Sequence, residues 1–165
     1  MKKTVYLSLG SNLGDRRAHL QSAIGRLGKV GTILAVSSCY ETEPIDVPAQ
    51  PWFLNCAVAL ETELMPKQLL SATQAIEHEL GRRPRKRPLK GPRTLDIDIL
   101  LFANSVVDTP ALTIPHPAMH QRRFVLEPLA EIAADVRHPV LKQSIRELRD
   151  ALPTNAGAVR KLSVE

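Results

Sequence analysis

Two carboxylates stand two residues apart in the run Gly91-Pro92-Arg93-Thr94-Leu95-Asp96-Ile97-Asp98-Ile99-Leu100-Leu101-Phe102. From Leu95 onward the run is otherwise apolar and reads as a buried strand. Side chains alternate faces along a strand, so Asp96 and Asp98 point the same way, with Cα atoms roughly 6–7 Å apart. Leu95, Ile97, Ile99 and Leu101 are expected on the opposite face. Paired acids repel unless a positive charge lies between them. A hard divalent cation such as Mg2+ takes carboxylate oxygens and keeps coordination positions for phosphate. The alternative is a solvated acidic face, against which Leu100 and Phe102, expected on the same side as the acids, argue. On this element alone both readings stay open.

The preceding segment, residues 82–93, holds seven lysines and arginines and no acid. The chain carries a net charge of +5, so without these seven it would be −2. The protein is therefore not broadly basic; its positive charge is concentrated in one segment. Three prolines and a glycine exclude regular structure for most of it. Arginine forks bind phosphate oxygens two at a time. A basic loop leading into a paired-carboxylate strand suggests a polyphosphate held by metal on one side and by arginines on the other. A nucleic-acid patch or a basic targeting signal would be the reading of the basic run by itself.

The elements that must position these groups follow from pattern. Residues 3–9 read as a strand, broken by Gly10-Ser11-Asn12. Asp15 is a suitable N-cap for a helix whose Leu20, Ala23, Ile24 and Leu27 share one face, closing at Gly28. Residues 32–40 and 53–61 are rich in β-formers, and 41–51 read as a loop. Pro66 opens a second helix, with Leu69, Leu70, Thr73, Ile76 and Leu80 facing the core and Gly81 ending it. Short strands are expected within 106–114, helices over 124–134 and 141–152, and a poorly ordered tail or short strand at the end. The order β-α-β-β-α-β with extra C-terminal helices predicts an α+β, ferredoxin-like antiparallel sheet. Its helices are expected on one face, with the acidic strand inside the sheet.

A chain of 165 residues is expected to form one domain, 1–165. No apolar run approaches the ~18 residues that span a membrane. The N-terminal apolar stretch is too short for a signal peptide and reads as a strand. Cys39 and Cys56 lack metal-type spacing and are expected as free thiols in a reducing cytoplasm.

The strings Gly10-Ser11-Asn12-Leu13-Gly14-Asp15, Tyr40-Glu41-Thr42 and Phe53-Leu54-Asn55 carry a resemblance. So, above all, does Gly91-Pro92-Arg93-Thr94-Leu95-Asp96-Ile97-Asp98 followed by Ile114-Pro115-His116-Pro117. Together they resemble the 6-hydroxymethyl-7,8-dihydropterin pyrophosphokinase family of folate biosynthesis, from about Val5 to Ala133. The resemblance implies transfer of an intact pyrophosphate from ATP to the hydroxymethyl group of a reduced pterin, with release of AMP, two Mg2+ ions and a ferredoxin-like fold. It implies that Asp96 and Asp98 hold both metals, and that Arg82 and Arg93 join them in catalysis. It implies ATP contacts from Gln74, Glu77, Arg82, Arg85, Arg93, Ile99, Thr113, His116 and Arg122. It implies pterin contacts from Thr42, Pro44, Ile45, Phe53, Asn55 and Phe124, with the two phenylalanines sandwiching the ring and Asn55 reading its edge. Lys90, Ala111 and Pro117 depart from the pattern, where a branch of the family has tryptophan, arginine and tyrosine. These departures bear on nucleotide contacts rather than on the reaction.

A flat, polar-edged ring held between two aromatics and an amide is consistent with the physics of such recognition. No side chain stands out as a general base, and phosphoryl-type transfer rests on positioning and charge neutralisation. The expected partners are ATP and the pterin, without nucleic acid or membrane, in a cytoplasmic monomer. Two rivals are weighed beside this. A metal-dependent phosphohydrolase could use Asp96, Asp98, His116 and His120. An RNA-binding module on the same fold would place aromatics where this chain has acids.

Overall fold

A nine-residue strand, β1 (Lys3–Ser11), is the spine of the molecule. It is antiparallel to β4 (Phe53–Thr62) on one side and to β5 (Asp96–Phe102) on the other. The structure, a computed structural model, describes residues 1–42, 52–81, 94–154 and 158–162. The sheet continues outward from β4, whose far edge is shared by β2 (Thr32–Val36) and β3 (Tyr40–Thr42); β8 (Val159–Lys161) then pairs with β3. A two-stranded sheet joins β6 (Val107–Asp108) to β7 (Thr113–Ile114). Among the described residues four α-helices complete the α+β fold: α1 (Arg16–Leu27), α2 (Pro66–Glu79), α3 (Arg123–Ala133) and α4 (Ile145–Asp150).

Alternation along the strands divides the interior in two. Val5, Leu7 and Leu9 of β1, Leu54, Cys56, Val58 and Leu60 of β4, and Ile97 and Ile99 of β5 pack against Leu20, Ala23 and Leu27 of α1 and Leu69 and Ile76 of α2. The second cluster joins Ala57, Leu100 and Leu101 to Val125, Leu126 and Leu129 of α3 and Ile145 and Leu148 of α4. Helices therefore cover both faces, where the sequence suggested one. The α3–α4 pair covers only one end of the second face, because alternation leaves Ser8, Gly10 and Asn55 at the other end in place of large apolar residues.

Local signals explain the helix ends. Asp15 accepts from the Ala18 N–H at 3.1 Å and caps α1, as expected. Gly81, with φ +109°, ends α2 in a conformation that side chains rarely adopt. The last helix is shorter than the predicted 141–152. Ser144 and Glu147 form a capping box that starts it at Ile145, and Lys142 just upstream has a left-handed φ of 63°.

Four further expectations are corrected. β1 continues through Gly10 and Ser11, which pair with Asn55 and Leu54, and Glu41 and Thr42 belong to β3 rather than to a loop. A register shift at Leu100 moves Leu101 into the second cluster and Phe102 into the first. The acidic strand β5 lies at the sheet edge, not inside it. Two of its backbone groups are nonetheless bonded from outside the main sheet: the Glu77 carboxylate accepts from the Ile97 N–H at 2.7 Å, and the Leu100 carbonyl accepts from the His116 N–H at 3.0 Å.

The two layers are tied at β3. Buried Tyr40 donates its hydroxyl to Glu131 of α3 at 2.6 Å, and Ser38 donates to the other carboxylate oxygen. Burial first, then this hydrogen bond, hold the phenol well above its ordinary range. Tyr40→Phe should lower unfolding stability by about 1–2 kcal/mol, the loss of one bond to a charged acceptor, as a reduced denaturant midpoint at unchanged slope.

Candidate active site

Residues paired across antiparallel strands point to the same side of the sheet. One row on the second face therefore reads Tyr40, Asn55, Gly10, Asp96 across β3, β4, β1 and β5. The next row reads Ala57, Ser8, Asp98. Thr42 and Phe53 pair on the outer side of the first row. Tyr40 and Ala57 lie under α3, and the remaining members of these rows fall outside the α3–α4 cluster. Asp96 and Asp98 are half-buried there, beside the small and buried Gly10 and Ser8 of β1.

The Asn55 amide is held in one orientation. Its Nδ2 donates to Thr42 Oγ1 at 2.8 Å, with both residues buried. Its Oδ1 lies over Gly10, where a Cβ would stand 2.6 Å from that oxygen. Glycine is thus required at position 10 by close approach rather than by an unusual φ.

The segment from β7 into α3 brings three more groups to the acids. The His116 Nδ1 accepts from the Ala118 N–H at 3.2 Å, which leaves Nε2 to carry the proton and act as a donor. Burial lowers the His116 pKa; the nearby Asp98 carboxylate opposes this, and Arg122 adds to it. The ring is therefore neutral at pH 7, close to both Asp98 and Arg122. The Arg122 guanidinium lies over the Phe124 ring, 5.5 Å from its centroid. Thr113 and His116 line a shared cleft of about 320 Å³, with Asp108, His120 and His138.

The remaining expected residues divide. The side chains of Glu77 and Ile99 lie on the α2 side of the sheet: Ile99 is in the first core cluster, and Glu77 bonds the β5 backbone. They lie on the opposite side of the sheet from Asp96 and Asp98. Gln74 is exposed on α2 although it is spaced to share a face with Glu77. Pro44, Ile45, Arg82, Arg85 and Arg93, with the departure at Lys90, lie outside the described residues. Sequence reasoning quoted Gly10, Tyr40 and Glu41 within resembling strings but gave no role to them or to the pair Arg16–Glu41, which meet at 2.8 Å. Only Gly10 carried a local signal, a glycine inside a run that could pair as strand. Among the described residues no group of three His, Cys, Asp or Glu side chains stands close enough to hold a metal. That removes the support for a four-ligand hydrolase centre on Asp96, Asp98, His116 and His120.

An antiparallel sheet with a carboxylate pair, a fixed amide and an arginine-stacked aromatic on one side defines an α+β protein with a polar site on its sheet. Comparison places it more closely. Residues 6–134 match the 7,8-dihydro-6-hydroxymethylpterin-pyrophosphokinase (HPPK) family, and the chain belongs to that family. It is 48% identical over 138 residues to a 2-amino-4-hydroxy-6-hydroxymethyldihydropteridine pyrophosphokinase of Bacillus subtilis, covering 82% of this chain and 81% of that protein. The protein of the same name in Pseudomonas aeruginosa is 46% identical over 142 residues, covering 84% and 86%. The folic acid synthesis protein fol1 of Schizosaccharomyces pombe is 45% identical over 154 residues, 92% of this chain; the chain spans only 21% of that protein's length. Among solved structures, an HPPK-DHPS in complex with substrates superposes with a TM-score of 0.71 at 16% identity, over 92% of this chain and 43% of that one. At that identity the match speaks for the fold.

Proposed function

We propose that the chain transfers pyrophosphate from ATP to the hydroxymethyl group of 6-hydroxymethyl-7,8-dihydropterin, yielding the pterin diphosphate and AMP in folate synthesis. One observation carries this reading beyond family membership: Asn55, Gly10 and Asp96 stand in a single row across three strands. Two strand spacings separate Asn55 from Asp96, about 10 Å. That distance suits a bicyclic ring read at one edge by the amide, with its hydroxymethyl arm reaching the carboxylates. In this reading the core from β1 to β5 is ferredoxin-like, and residues 1–165 act as one pyrophosphokinase domain. The protein works as a cytoplasmic monomer on ATP and pterin, without nucleic acid or membrane.

Asp96 and Asp98 suit a hard cation by donor type, by their shared face and by their partial exposure. Two protein carboxylates leave the other positions of two Mg2+ ions to water and phosphate oxygens, which is how Mg2+ binds polyphosphates. When bound, Mg2+ supplies charge neutralisation at the phosphates and acidifies the pterin hydroxyl. The chain's own residues do the rest. Asn55 orients the ring, and Thr42 fixes the amide. Phe53 and Phe124 supply apolar faces to either side. His116 donates from Nε2 to a phosphate oxygen, and Arg122 adds positive charge next to it. Arg82, Arg85 and Arg93 take the triphosphate, Gln74, Ile99 and Thr113 border the nucleoside, and Pro44 and Ile45 complete the pterin side. Glu77 serves by fixing the edge of β5.

Two experiments test this. Incubation with ATP and Mg2+ should release AMP only when the reduced pterin is present. Gly10→Ala, which drives a methyl group against the Asn55 oxygen, should raise the pterin KM about tenfold, roughly 1.4 kcal/mol, and leave the ATP KM within about twofold. An unchanged pterin KM in the folded variant would remove Asn55 from the pterin site.

A further inference from the structure

Arg16, Glu41, Trp52 and Arg160 close a ring on the β3–β4 hairpin. Arg16 Nη2 donates to Glu41 Oε2 at 2.8 Å, and its Nη1 donates to the Trp52 carbonyl at 2.9 Å. Glu41 Oε1 accepts from Arg160 Nη2 at 2.5 Å, and the Arg160 guanidinium lies over the Trp52 ring, 5.3 Å from its centroid. Glu41 and Arg160 are also cross-strand partners of β3 and β8. One guanidinium at the start of α1 thus holds both sides of the hairpin, and a second from the C-terminal strand locks them from outside. Arg160 lies beyond residues 6–134, the span that matches the family.

We infer that this ring, with Arg16 as its principal member, is a positioning device that sets the pterin-facing side of the hairpin without touching substrate. The inference rests on the pterin reading of Thr42, Phe53 and Asn55. Alternation along β3 puts Tyr40 and Thr42 on the site face and Glu41 on the opposite face, toward α1, so none of the ring's charges reaches the ligand side. Thr42 and Phe53 are partners one residue from Glu41 and Trp52, and the Thr42–Asn55 hydrogen bond requires that pairing. A shift of the hairpin at Glu41 or Trp52 therefore moves the amide that reads the ring. Exposure ranks the members: the side chains of Glu41 and Arg16 are 15% and 27% exposed and that of Arg160 is 67% exposed. An exposed pair is largely screened by solvent, so Arg16 holds the hairpin more firmly than Arg160 does. Lysine replaces Arg16 only in part, because its single ammonium lacks the planar fork that presents separate nitrogens to the carboxylate and the carbonyl.

Trp52 is the only tryptophan of the chain, so its emission reports the ring directly and without substrate. The experiment compares wild type, Arg16→Ala, Arg16→Lys and Arg160→Ala by acrylamide quenching of Trp52 and by separate KM values for pterin and ATP. Arg16→Ala should make Trp52 more quenchable and raise the pterin KM about tenfold, the scale of one charge-assisted hydrogen bond, with kcat and the ATP KM within about twofold. Arg16→Lys should fall between wild type and Arg16→Ala, and Arg160→Ala should show a smaller shift of the same kind. Greater quenching with an unchanged pterin KM, or an equal rise in both KM values, would overturn the positioning role. If wild type forms no AMP with pterin, the pterin reading fails by itself. The ring is then judged on quenching alone, where identical Arg16→Ala and wild-type curves would overturn it.

Discussion

Asp98→Ala should lose pyrophosphate transfer by about 10²–10³-fold or more, the scale seen when preorganised charge stabilisation is removed. The fold should survive. Asp98 is half-buried, paired with Ser8 across the strands, and belongs to neither apolar cluster. Its removal therefore opens no core cavity, and the β1–β5 ladder, made by backbone, is untouched. Asp98→Asn keeps the shape and removes only the charge, so it should lose nearly as much activity. His116 gives an internal check. The Asp98 carboxylate is the influence that opposes its lowered pKa, so the imidazole of either variant should titrate at still lower pH. Steady-state AMP formation beside a thermal melt measures the first effect, and imidazole titration by NMR the second. A folded Asp98→Ala protein with ordinary turnover would end the metal-site reading.

Asn55→Ala should have the second largest effect, and a selective one. Asn55 is buried, its Nδ2 is committed to Thr42, and its Oδ1 is the acceptor aimed over Gly10. A buried ring edge left without its partner costs about 1–3 kcal/mol, so pterin affinity should fall by roughly 5- to 150-fold. ATP affinity should hold, because Thr113, His116 and Arg122 lie on other elements. Calorimetry with each ligand separately decides the point: equal losses for both would count against Asn55 as the pterin reader.

What the sequence made legible was local. Asp15 announced its helix because a capping carboxylate acts over three residues. Asp96 and Asp98 announced a shared face because strand alternation is strictly periodic. What stayed hidden depended on partners far along the chain. The edge position of β5 follows from pairing choices that no strand records by itself, and Glu77 protects that edge from twenty residues away. The register shift at Leu100 changed which residues share a face with the acids, and a bulge leaves no mark in a run of leucines and isoleucines. Tyr40 meets Glu131 across 91 residues, and Arg160 meets Glu41 across 119, so neither contact has a sequence spacing to read. The placement of α3 over half of the second face was missed for the same reason. A third helix on the far side of the sheet is decided by the small and apolar residues of three separate strands, Ala57, Leu100 and Leu101 among them.

The most direct test of the central claim is the fate of ATP phosphates under single-turnover conditions with excess protein, Mg2+ and the reduced pterin. The account predicts AMP and pterin diphosphate in equal amounts, no ADP, no product without pterin and none after chelation of the metal. ADP with a pterin monophosphate, or phosphate released at the same rate without pterin, would contradict it.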